Sequence, residues 1–204
     1  MTRAPRPRRW PEPKSVEGDL RIVPLSSHLL DLDLAAYRAS SQAIHAHSAG
    51  RWPADLGRDG ARRLMAVHEA EHVDGTAYAY AVLDHDGERE LGCVYLRPLG
   101  EYLERTGTHV HDSRIDPERT AIVSFWLIDD QDLRPSTAEI LRCIRQWVTR
   151  WRAAGPVYRC LPAEVSTLAA LEAASDLRPI TMTGQELPYL WFVDEHTGPP
   201  VLTS

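Results

Sequence analysis

The stretch Thr120-Ala-Ile-Val-Ser-Phe-Trp-Leu-Ile128, with the polar Asp129-Asp-Gln-Asp-Leu-Arg-Pro135 behind it, decides the fold. The first run is nearly all apolar and rich in β-branched and aromatic residues, the pattern of a strand. After the polar loop, Ser136 with Glu139 three residues on reads as a capping box, and Pro135 marks the entry to a helix. Ile140, Leu141, Ile144, Trp147, Val148 and Trp151 then recur at helical spacing, one buried stripe that leaves Arg142, Arg145 and Arg152 wet. Gly155-Pro156 is expected to end that helix. A strand feeding a polar loop into a helix N-terminus is a ready anion site, because the first-turn N–H groups are unpaired and the helix dipole favours negative charge. The same pattern also fits a plain strand-loop-helix connection with no ligand.

Working outward, 204 residues with 43% hydrophobic and 25% charged content suit one soluble globular domain with tails. No apolar run approaches the ~18 residues of a membrane span. The start is rich in arginine and proline without an apolar core, so it does not read as a secretory signal. Cys93, Cys143 and Cys160 lie in apolar segments at no metal-like spacing, which points to reduced core thiols and a cytoplasmic protein. The net charge is −6, and a basic arm leaves the body more acidic still. An acidic body disfavours nucleic acid as a partner, since phosphate contacts need a basic face.

In chain order, residues 1–18 read as a disordered, basic, proline-rich arm, 19–194 as one domain and 195–204 as a tail. Asp19 to Leu25 alternates like a strand. A helix is expected from Ser27 to about Ser48, with Leu29, Leu30, Leu32, Leu34, Tyr37 and Ile44 inward, and a second from about Asp59 to Val73. Thr76–Leu83 and Glu90–Leu96 form a hairpin around Asp86-Gly87. Arg97 to Arg119 reads as a long polar loop. After the deciding stretch come a strand at Val157–Leu161, a helix at Glu164–Ala174 and strands at Leu177–Thr181 and Leu187–Val193. The expected class is α/β (α+β): a mixed, mostly antiparallel sheet of about seven strands with helices on both faces.

This order resembles the GNAT superfamily of acyl-CoA-dependent N-acyltransferases over roughly residues 19–193. Leu91-Gly-Cys-Val-Tyr-Leu-Arg-Pro98 looks like its third strand and Ile122–Ile128 like its fourth, whose exposed backbone pairs with the pantetheine arm of CoA. The resemblance implies acetyl-CoA or another acyl-CoA as co-substrate, held by Trp126, Leu127, Ile128, Leu133, Arg134, Ser136, Thr137 and Ala138. The family's loop normally reads Gln/Arg-x-x-Gly-x-Gly/Ala. Here Leu133, Ser136 and Ala138 fall on those positions, or Arg134, Thr137 and Glu139 after a one-residue shift, so the loop is degenerate. The family's C-terminal Asn, Tyr and Gly-Phe fall on Val165, Glu172 and Asp176-Leu177, and none is kept. The implied reaction is direct acetyl transfer to an amine, with the pyrophosphate at the N–H groups of Ser136 to Ala138 and N–H near Leu127 polarising the thioester carbonyl. The acceptor would be a small-molecule or peptide amine, with no nucleic acid, membrane or metal involved. No residue is assigned as base or acid, and neither the acceptor nor the oligomeric state is readable.

Two other readings stay open. A scaffold or binding module that keeps the fold and has lost catalysis fits the degenerate loop. His68-Glu-Ala-Glu-His72 matches H-E-x-x-H, so His68 and His72 can share a helix face for zinc with Glu69 as base. Against this, Tyr78 stands where the longer motif has its third ligand, and Glu71 puts charge on a helix usually apolar there. His45 and His47, two apart, point in different directions. His109 and His111 lie in the polar loop near the front of the sheet, where an imidazole can serve as base.

Overall fold

Residues 15–16, 20–130, 132–149 and 154–195 are described by the computed structural model on which the following rests. The apolar run forms strand β6, Thr120–Leu127, buried along its whole length at the middle of the sheet. Before it come β1 (Ser15–Val16), β2 (Leu20–Pro24), β3 (Tyr78–Asp84), β4 (Glu90–Pro98) and β5 (His109–Val110); after it, β7 (Ala154–Cys160), β8 (Leu177–Ile180), β9 (Met182–Thr183) and β10 (Leu190–Asp194). The main sheet runs β1-β2-β3-β4-β6-β7-β10-β8, antiparallel except for β6 against β7, while β5 and β9 pair separately. Seven strands carry the sheet, and the two-residue β1 extends its edge. Of the arm expected at 1–18, Ser15–Val16 is thus paired with β2; the rest of it, most of the C-terminal tail, and Trp151 with Arg152 lie outside the described residues.

Helices cover both faces. On one face lie α1 (Leu30–Ala39), α2 (Ser41–Ser48), α3 (Arg58–Asp74) and α4 (Leu99–Thr106); on the other, α5 (Thr137–Thr149) and α6 (Val165–Ala173). The alternation of β6 explains the division: Phe125 and Leu127 pack with Ile140, Ile144 and Trp147 of α5, whereas Trp126 packs with α1 and α3 residues. The hairpin turn forms as its sequence predicts. Gly87 takes φ +79°, and the Asp84 carboxylate accepts the N–H groups of Gly87, Glu88 and Arg89. All three cysteines are buried free thiols.

Five local expectations are corrected. The helix expected over 27–48 is two helices after a 3-10 turn at Ser27–Leu29, broken at Ser40, which is fully buried. Asp33, not Leu32, turns inward there. The loop expected over 97–119 holds α4 and β5; Leu99 and Tyr102 face the core while Glu101, Glu104 and Arg105 face water. Gly155-Pro156 belongs to β7, at the bulge where Thr120 pairs with Ala154 but Ile122 with Val157, a place where proline costs no ladder bond. Arg145 is held by Asp176 at 2.8 Å and by Asp194, so it is not simply a solvated arginine.

Candidate active site

The site follows from where β6 and β7 part. Their parallel pairing ends at Val123↔Tyr158, yet β6 stays paired with β4 as far as Gly92↔Leu127. Beyond Val123, therefore, β6 has one bonded edge and one open edge. The Ile128 N–H donates to the Leu91 carbonyl on the β4 side, so by alternation the N–H and C=O groups of Phe125 and Leu127 face the opening. Gly92 holds the bonded edge close: its φ is +148°, and a Cβ there would sit 2.0 Å from the Trp126 carbonyl oxygen.

Helix α2 lies across the opening and is tied at both ends. At its start the Asp129 carboxylate accepts the N–H groups of Gln42 and Ala43, both at 3.0 Å, an anion placed on a helix N-terminus. At its end His47 Nδ1 lies 2.7 Å from Glu164 Oε1, and the Leu161 N–H donates to the other oxygen of Glu164 at 2.5 Å. Both side chains are more than nine-tenths buried. In the neutral tautomer that donates from Nδ1 to Glu164, Nε2 is left as an acceptor, the arrangement by which a carboxylate orients an imidazole base.

Two cavities meet at this helix. The first is a crevice of about 400 Å³ between the end of β6, residues Ala163–Thr167 and the outer side of α2. Trp126, Leu127, Ile128, Leu133 and Thr137 line it; of the other residues expected to hold CoA, Arg134, Ser136 and Ala138 do not. Leu133 is buried beneath α5. The capping box forms as its sequence predicts, and its consequence is electrostatic. Glu139 accepts both the N–H and the hydroxyl of Ser136, at 2.8 and 2.7 Å, and those bonds hold its carboxyl below the usual range. A carboxylate thus already occupies the helix N-terminus, and the Ser136 N–H is taken.

The second cavity, about 370 Å³, lies beneath α1, α2 and α3 and is walled by aromatic rings. His47 stacks on Tyr95 with ring centres 5.8 Å apart and meets Trp52 edge-on at 5.5 Å, while Tyr37 stacks on Trp52 at 6.3 Å. Trp126 lines both cavities and donates its indole N–H to the Tyr95 hydroxyl at 3.1 Å. Asp33 reaches this wall from α1 and forms a buried knot with Glu90 and Cys93, whose Sγ lies 3.2 Å from Glu90 Oε1 and 3.6 Å from Asp33 Oδ1. Burial, and then the charge of Asp33, push Glu90 up to about 9, and burial raises the thiol as well. Among the described residues this is the one group of three side chains able to hold a metal, but two of its members keep their protons near neutrality.

The H-E-x-x-H residues part company. Glu69 accepts the Ser27 N–H at 2.7 Å, His72 packs edge-on to Tyr78 at 4.9 Å, and His68 lines the aromatic chamber with Tyr95 5.9 Å away. His111 bonds the Thr183 hydroxyl at 2.8 Å beside the β5–β9 ribbon, and neither it nor His109 lines either cavity. The His47–Glu164 pair was not foreseen from sequence. Its members are 117 residues apart, and no local pattern joins them.

No family model and no curated protein matches the sequence. Solved structures do. The GNAT domain of S. lividans PAT aligns at 12% identity over 85% of this chain and 89% of its own, with a TM-score of 0.59. Spermidine N-acetyltransferase from Vibrio cholerae, in complex with CoA and spermine, aligns at 10% identity over 86% and 96%, TM-score 0.56. The microcin C7 self-immunity acetyltransferase MccE, in complex with acetyl-CoA and AMP, aligns at 8% identity over 88% and 93%, TM-score 0.62. The fold is that of the GNAT acetyltransferases.

Proposed function

We propose that residues 19–194 form an acyl-CoA-dependent N-acyltransferase domain that transfers an acetyl group to a small-molecule or peptide amine. The observation that carries this is the open edge beside Phe125–Leu127, with a crevice lined by Glu164 on one side of α2, an aromatic chamber lined by His47 on the other, and Trp126 in the wall of both. Several solved neighbours of the same fold hold CoA or acetyl-CoA, which supports the choice of co-substrate. Acyl-CoA supplies an activated thioester, and the crevice takes its pantetheine arm. The Leu127 N–H, unpaired by β7, donates to the thioester carbonyl as charge develops on it. The acceptor amine enters from the chamber. His47 Nε2 takes the proton that the amine loses as its nitrogen bonds the acyl carbon, and Glu164 steadies the resulting imidazolium. The C–S bond breaks and the thiolate of CoA leaves, to be protonated by solvent.

One feature favours a second reading, a binding module without catalysis. The Glu139 carboxylate and the acidic run Asp129, Asp130 and Asp132 stand where a pyrophosphate would dock. Calorimetric titration with acetyl-CoA, followed by thiol release over a panel of amines, separates the two. Acyl transfer requires saturable acetyl-CoA binding and amine-dependent release. His47→Gln is expected to keep that binding and lose about a hundredfold in kcat, the scale of general-base removal. A chain that binds no acetyl-CoA at millimolar concentration is not an acyltransferase.

A further inference from the structure

We infer that Arg159 is an anion anchor in the aromatic chamber, so that the molecule bound there is an amine bearing a carboxylate. The word acceptor for that molecule rests on the acyl-transfer reading above; its binding does not. Arg159 is the first residue of β7 beyond the last pair with β6, and it faces the same side of the sheet as Ser124 and Trp126. Its side chain has no hydrogen-bond or ion-pair partner among the described residues, and its Nε and Nη1 atoms are buried and unpaired. Its guanidinium is held by rings instead: Tyr189 at 4.3 Å, Tyr102 at 5.2 Å and Trp191 at 5.7 Å from Cζ. Stacking fixes the plane of the group and leaves its N–H edge to recognise something else.

Among the described residues no carboxylate pairs with Arg159, and the one whose charge reaches it, Glu164, is committed elsewhere. Both oxygens of Glu164 are engaged, by His47 and by the Leu161 N–H. Arg97, in the same chamber, is a second cation, and among the described residues its ion pair is with Glu71 at 3.8 Å. Arg145, by contrast, is held by two aspartates and Arg51 by a glutamate. An arginine stays charged when buried, and an uncompensated buried charge is costly, so leucine or glutamine would serve structure better at this position. A planar cation with a free donor edge matches a carboxylate in bidentate fashion. The aromatic walls around it suit an apolar body between the carboxylate and the amine.

The test uses the full chain without CoA and matched pairs of probes: L-phenylalanine, L-tyrosine and L-tryptophan against 2-phenylethylamine, tyramine and tryptamine, each pair differing by one carboxylate. Calorimetry is expected to show at least one amino acid binding ten times more tightly than its decarboxylated partner or better. In Arg159→Gln that preference should fall below twofold. The comparison on the unmodified chain decides the matter by itself should the variant not fold. The inference is overturned if the amines bind as tightly as the amino acids, if no carboxylate-bearing probe binds, or if the preference survives in a folded Arg159→Gln. Thiol release from acetyl-CoA with the same six compounds is read separately. A carboxylate preference in binding without release upholds Arg159 and removes these amines as acceptors; release with no such preference upholds acyl transfer and removes the anchor.

Discussion

Replacing Glu90 by glutamine tests whether the Asp33–Glu90–Cys93 knot holds a proton in the folded state. Glu90 is 3% exposed and rises from 4.5 to about 9, first by burial and then by the charge of Asp33. The sign follows from linkage. Between those two values the folded chain holds a proton that the unfolded chain has released, so stability is highest below pH 4.5 from this group and falls as pH rises toward 9. At about 1.4 kcal/mol per pH unit, the three units from 4.5 to 7.5 set a ceiling of about 4 kcal/mol on the loss at pH 7.5. Asp33 shares the proton and lowers that figure, since its own carboxyl is also raised, chiefly by burial. Glutamine mimics the protonated acid: its amide can donate to Asp33, and its carbonyl can accept from the Cys93 thiol. Glu90→Gln should therefore match the parent at pH 5, exceed it by about 1–4 kcal/mol at pH 8, and show a flatter profile between. Urea denaturation at each pH reads this directly. A variant less stable than the parent at pH 8, or a parent whose stability rises steadily from pH 5 to 8 while the variant's does the same, refutes the protonated knot.

Glu139→Gln keeps a hydrogen bond to Ser136 and removes the carboxylate at the start of α5, so acetyl-CoA should bind about fivefold more tightly in calorimetry, the factor for two charges ~4 Å apart in water; unchanged affinity would place the phosphates elsewhere. Gly92→Ala puts a Cβ against the Trp126 carbonyl in a backbone conformation that favours glycine, and chemical denaturation should show a loss above about 3 kcal/mol or no folded protein. Arg145→Ala leaves Asp194 and Asp176 without the cation that bridges them, at an expected cost of about 2 kcal/mol and a lower Tm in a thermal melt. A fall within the error of the melt would mean that the bridge contributes nothing net.

The sheet and its helices were legible because their signals are local. Strand β6 announces itself by composition, α5 by its apolar stripe and capping box, and the β3–β4 hairpin by Asp86-Gly87. Where local reading failed, the cause is identifiable. Helix α4 carries Leu99, Tyr102 and Leu103 at helical spacing, but its charged outer face and the flanking Pro98 and Gly107 hide the pattern inside a polar stretch. The break at Ser40 has no proline or glycine to mark it; the hydroxyl accepts the Asp129 N–H at 3.4 Å, a tertiary contact with a residue 89 positions away.

The candidate site was less legible for a deeper reason. The residues expected to hold CoA lie at the end of β6 and on the loop behind it; the strand residues Trp126 to Ile128 line the crevice, while the loop is governed by its own capping box. The aromatic chamber is made by topology: a parallel pairing that stops at Val123, a helix laid across the gap, and side chains brought together from α2, the turn before α6 and β7. Sequence does leave a trace of that arrangement, though only in retrospect. Arg159 stands in Val157-Tyr-Arg-Cys-Leu161, a strand otherwise apolar or aromatic, and Glu164 opens a helix stacked on alanine and leucine. A charge set inside an element that is apolar around it is expensive to bury, so it calls for a partner. Glu164 finds His47 within the chain. Arg159 finds none among the described residues, and a cation left unpaired there beside a chamber is a physical reason to look for its partner outside the protein.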